Sequence, residues 1–143
     1  MKIKRIDTTL PLPGYQTPGA VGFDLYVRET IIVPPHELKL IPVNNIIEVP
    51  KGCVLLLFSR SSTPIKKGLM MANGVGVIDQ DFCGDADELQ IEAFNFTDKE
   101  VMVERGERIA QGMIVRVVQE VFEEVDHMSE PSRGGFGTTG GES

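Results

Sequence analysis

The chain has 143 residues, 41% hydrophobic and 24% charged, a composition that suits one soluble domain with a core of its own. Its formal charge of −7 argues against binding a nucleic-acid duplex, which needs a basic face to displace counterions, but a local Arg/Lys cluster still allows a small polyphosphate. No apolar run reaches the roughly 20 residues of a membrane span and no signal-peptide pattern opens the sequence, so a cytoplasmic protein without a membrane partner is expected.

Short apolar runs and turn residues alternate along the chain. Phe23, Leu25 and Val27 alternate with outward positions. Residues 31–33 run into Pro34-Pro35; Leu38, Leu40 and Val43 continue the rhythm, and residues 46–49 stop at Pro50. Residues 54–58 form a continuous apolar run of buried-strand length. Val101 and Val103 alternate, and residues 109–121 are rich in β-branched side chains. With Gly and Pro as punctuation and no sustained helical period, the pattern predicts many short strands. The expected fold is all-β, a jelly-roll-like sandwich or barrel. From Glu130 onward apolar residues nearly vanish, and five glycines fall between Gly134 and Gly141. That predicts a β domain over 1–130 and a flexible glycine-rich tail over 131–143. Phe136, alone among those glycines, suits a lid that closes on a flat ligand. Cys53 and Cys83 lack CxxC spacing, which predicts reduced, structural thiols.

Chemistry concentrates in residues 60–84, RSSTPIKKGLMMANGVGVIDQDFCG. Arg60 offers a planar charged fork, and Ser61 and Ser62 offer short donors, all suited to phosphate oxygens. Lys66 lies in the same segment, where a phosphate contact and a solvated surface lysine are both open readings. Asp79 is a carboxylate able to orient and deprotonate a water. Asp81 would share a strand face with it if the chain stayed extended. These parts, with the tail, point to a nucleotide-processing enzyme.

Five segments in order resemble the five motifs of the trimeric deoxyuridine triphosphatase (dUTPase) family: AVGFDL at 20–25, SRSS at 59–62 continuing to Gly68, NGVGVIDQDF at 73–82, GERIAQ at 106–111 and GGFGTTG at 134–140. Each motif alone is weak; their order and spacing over nearly the whole chain are specific. The resemblance implies a homotrimer of jelly-roll subunits with shared active sites, hydrolysing dUTP to dUMP and pyrophosphate with Mg²⁺. It makes Asp79 the water-activating base. It assigns the phosphates to Arg60, Ser61, Ser62 and Gln111, with Thr138 and Thr139 reaching the terminal phosphate from the tail. Asp24 would meet Mg²⁺ through water, in keeping with a metal that retains much of its hydration.

Uracil presents a donor at N3 between two acceptors, a pattern that a β-hairpin backbone at Gly76, Val77 and Ile78 and the Asn73 amide can complement. Cytosine would leave those groups unpaired, which discriminates strongly. Phe82 stands where many relatives carry tyrosine; its ring can pack on the sugar and disfavour a 2′-hydroxyl. Phe136 would stack on the base. Many relatives place an arginine at the position of Pro131, and Arg133 is the candidate substitute. The run 85–88 (DADE) is longer than in common relatives, resembles a Gram-positive and phage branch, and reads as a solvated acidic turn. Two other functions stay open. Glu92, three residues before Asn95, could serve a dCTP deaminase or a bifunctional deaminase–diphosphatase. A dUTPase-like regulator of a protein partner needs no further motif.

Overall fold

The computed structural model describes residues 1–135. Eleven strands and one short helix make up its regular structure. In chain order they are β1 (Lys2–Arg5), β2 (Phe23–Leu25), β3 (Ile31–Val33), β4 (Leu38–Pro42), β5 (Asn45–Glu48), β6 (Cys53–Ser59), α1 (Ser62–Lys67), β7 (Leu69–Met71), β8 (Gly76–Ile78), β9 (Gln90–Asn95), β10 (Val101–Val103) and β11 (Ala110–Arg116). Every pairing is antiparallel. The larger sheets run β2-β11-β6-β8 and β4-β9-β7; β1-β5 and β10-β3 are two-stranded ribbons. The all-β sandwich of jelly-roll type expected from the alternating pattern is what forms.

Alternation explains the layering. On β6, Leu55 and Leu57 are buried while Val54, Leu56 and Phe58 are half-buried on the opposite face. On β9, Ile91, Ala93 and Asn95 point inward. Leu25, Val33, Ile41, Ile47, Leu69 and Val103 join them in one core drawn from all the sheets. Burying each such aliphatic side chain contributes roughly 1.5–3 kcal/mol.

Asn95, fully buried, replaces an apolar residue without penalty. Its Nδ2 donates to the carbonyls of Val33, Pro34 and Lys99 at 2.7–3.1 Å, and its Oδ1 accepts from the Thr97 N–H and hydroxyl.

Four expectations change. First, α1 is a helix where none was foreseen; at six residues it is too short to show a period, and it ends at Gly68 in the left-handed region (φ 66°). A Cβ at Gly68 would run into Thr97, a second reason for glycine. Second, the apolar stretch 109–121 is a strand only to Arg116, because its partner β6 begins at Cys53, opposite Arg116. Val118, Val121 and Phe122 are consequently exposed. Third, the turn at residues 72–75 is not a self-paired hairpin: β7 pairs with β9 and β8 with β6, so the chain crosses between sheets there. Fourth, the chain leaves extended geometry after Ile78, and the Phe82 N–H turns back to the Asp79 carbonyl (3.4 Å), so Asp79 and Asp81 do not share a strand face.

Candidate active site

The predicted residues fall into two groups along β6, with Arg60 just past one end and Asp79 at the level of the other. The first is a cationic end built around Asp24 on β2. The register sets Asp24 opposite Gln111 of β11, and Gln111 opposite Phe58 of β6. Asp24 is 5% exposed. Its Oδ1 accepts from Arg60 Nε at 2.8 Å and its Oδ2 from Arg108 NH1 at 3.0 Å. Arg60 NH1 also donates to the Arg108 carbonyl (3.3 Å), and its backbone N–H to Ile109 (3.0 Å). One carboxylate therefore fixes two guanidiniums whose remaining N–H groups are free to meet an anion. Gln111 Nε2 donates to the Ser59 carbonyl (3.4 Å), and its Oε1 would lie 2.7 Å from a Cβ at Gly22, so only glycine lets that amide lie there.

Beside this cluster a cavity of about 320 Å³ is lined by Arg60, Ser62, Lys66, Lys67, Glu107 and Arg108, among others. Thr63 anchors α1 beneath it, donating its hydroxyl to the Ile109 carbonyl at 2.6 Å. Ser61 is exposed at the head of α1.

The second group surrounds the turn between β7 and β8. Asn73 is exposed there, and Gly74 takes φ 72°. Gly76 is buried against Leu57, where a Cβ would come within 3.0 Å of the leucine Cβ. Val77 is 61% exposed, Ile78 is half-buried, and Asp79 follows directly with its side chain toward solvent. A cavity of about 430 Å³ lies alongside, lined by Cys53, Val54, Asp79, Gln80, Asp81 and Val117 among others. Phe82 is 40% exposed on the same loop.

Asp79 does not reach the Arg60 cluster within one chain. Ile78 pairs with Leu55, so the antiparallel register carries Asp79 to the level of Val54, six residues before Arg60. At about 3.3 Å per residue that is roughly 20 Å.

Two further predicted residues belong to the described part of the chain, Arg133 and Glu92. Arg133 is exposed in a segment without regular structure, and Phe136, Thr138 and Thr139 lie outside the described residues. Glu92 is half-buried on β9, facing away from Ile91 and Ala93, and its carbonyl accepts from the Ala72 N–H at 2.8 Å, next to Asn73.

The acidic run 85–88 is a solvated turn at Asp85 and Ala86, but Asp87 and Glu88 are drawn into the fold. Glu88 Oε1 accepts from Arg28 Nε at 2.8 Å and from the Asn44 N–H at 2.9 Å. That hydrogen bond raises the pKa of the Arg28 guanidinium further. Asp87 accepts from the Gly84 N–H (2.7 Å), and Asp85 from Lys4 (2.7 Å), which holds the Asp85 carboxyl below its usual range. The run ties the end of the Asp79–Phe82 loop to β1 and to the β4–β5 corner.

Sequence reasoning missed Arg108. The signal was available in the fourth motif, where it precedes Gln111 by three residues, but its partner Asp24 is 84 positions away. Among the described residues no cluster of three or more His, Cys, Asp or Glu side chains offers a metal cage. Asp24 has an arginine on each oxygen, which leaves each oxygen a lone pair for water but no place for direct ligation. That donor set fits a metal carried mainly by substrate phosphates and water. No helix among the described residues is long and apolar enough to cross a membrane.

Comparison with known proteins finds relatives along nearly the whole chain. The chain is 38% identical over 141 residues to a deoxyuridine 5'-triphosphate nucleotidohydrolase of Hydrogenobaculum, covering 96% of each. It is 39% identical over 132 residues to the Lactococcus lactis protein of the same name, covering 90% of this chain and 87% of that one. The solved dUTPase from Streptococcus mutans superposes with a TM-score of 0.78 at 33% identity, over 85% of this chain and 100% of that one. The sequence model of the dUTPase family matches residues 8–140, and the chain belongs to that family.

Proposed function

We propose that the protein hydrolyses dUTP to dUMP and pyrophosphate. The observation that carries this reading is that the short strand β8 joins the Asn73–Val75 turn to Asp79, with Phe82 on the loop that follows. A base held by that turn would sit at a fixed distance from the carboxylate, which is what positioning a water on one phosphorus requires. Asn73 and the backbone of Gly76, Val77 and Ile78 read uracil, and Phe82 packs on the deoxyribose. Asp79 accepts a proton from a water whose oxygen bonds to the α-phosphorus; the bond from that phosphorus to the α–β bridging oxygen breaks, and pyrophosphate leaves. Arg60, Ser61, Ser62 and Gln111 hold the phosphate chain, joined by Arg133, Thr138 and Thr139 from the tail (131–143) as Phe136 stacks on the base. Asp24 would meet Mg²⁺ through a water, and the ion would supply neutralisation of the charge that builds on the phosphates.

The chain acts as a homotrimer in the cytoplasm. Two features support assembly. Asp79 and Arg60 lie roughly 20 Å apart along β6 in one chain, which supports a site that takes them from different copies. The outer face of β8-β6-β11 also presents Val77, Leu56 and Met113 in one cross-strand row, none of them fully buried.

The test is a panel of dUTP, dCTP, dTTP and UTP with Mg²⁺, scored for pyrophosphate and ammonia. Pyrophosphate from dUTP alone is expected. Ammonia from dCTP at a comparable rate would transfer the assignment to Glu92 and the deaminase reaction.

A further inference from the structure

We propose that Lys66 binds the terminal phosphate of the substrate. This rests on the triphosphate reading above and extends it to a residue outside the set just assigned. Ser62 and Lys66 are four apart on α1, so they share a helix face, one turn from each other. Both line the cavity that also holds Arg60 and Arg108.

Charge distinguishes Lys66 from the other cations there. Lys67 is neutralised by Glu107 at 2.8 Å and donates to the Met102 carbonyl. Arg60 and Arg108 divide the single charge of Asp24. Lys66 is exposed and makes no ion pair among the described residues. The cavity thus keeps uncompensated positive charge, and Lys66 carries it on an exposed side chain. With Arg60 and Ser61 at the inner phosphates, a lysine one helical turn further on reaches the outer end of the chain. An ammonium there acts as a point charge, suited to the most anionic phosphate.

Lys66→Ala is compared with Lys66→Arg and the wild type in dUTP hydrolysis, inhibition by pyrophosphate and binding of dUMP. The alanine variant is expected to raise KM for dUTP and Ki for pyrophosphate about tenfold each, with kcat within about threefold and dUMP affinity unchanged. Lys66→Arg restores most of the loss. Unchanged KM and Ki in the alanine variant would overturn the proposal, as would an equal loss of dUMP affinity, which would move the contact to the inner phosphate. Failure of the triphosphate reading itself shows separately, as absence of pyrophosphate release by the wild type.

Discussion

Asp24 and Asp79 are the same residue type in opposite surroundings. Asp24 is buried with both oxygens taken by arginines, and its work is to aim them. Asp79 is exposed at the end of a strand, beside a cavity, with its carboxylate available to a water. Asp79→Asn is therefore expected to lower kcat about 10²–10⁴-fold while nucleotide still binds. Pyrophosphate release and titration with a non-hydrolysable analogue measure the two effects; a wild-type rate would locate the base elsewhere. Asp79 and Arg60 could be singled out from sequence because their motifs are local strings. Arg108 stands in the fourth motif too, but its role does not show there, since its effect runs through a side chain 84 residues away, and ion pairing leaves no trace in spacing.

At the scale of elements, the strands were legible because a half-buried β-strand writes its two faces into alternate residues. Elements without that repeat were not. The helix α1 spans less than two turns, and the 85–88 run shows only acidic residues, whose partners Lys4, Arg28 and Asn44 come from distant segments. Glu88 holds that run to the β4–β5 corner from a site only 13% exposed. Removing it leaves Arg28 and the Asn44 N–H without their acceptor. Glu88→Ala should cost about 1–3 kcal/mol in urea unfolding, and Glu88→Gln less, since its amide oxygen still accepts from Asn44. Equal midpoints for Glu88→Ala and the wild type would return the run to a solvated turn.

For the whole molecule, β6 keeps Asp79 and Arg60 at opposite ends, and no contact between them is needed for the chain to fold. Deleting residues 133–143 should accordingly leave the sandwich and its assembly intact while turnover falls; light scattering and steady-state kinetics separate the two, and unchanged kinetics would deny the tail a role. A sharper experiment mixes two inactive variants, Asp79→Asn and Arg60→Ala, by unfolding and refolding them together. Random assembly then gives about a quarter of the sites one intact Asp79 and one intact Arg60 from different copies. Activity near that fraction of wild type is expected; none would mean each chain houses its own complete site. On the shared-site proposal, the seven-residue strand acts as a ruler that keeps Asp79 from the Arg60 of its own polypeptide. Dilution below the assembly's dissociation constant should silence catalysis while leaving each subunit folded, so cellular concentration becomes a control on nucleotide turnover.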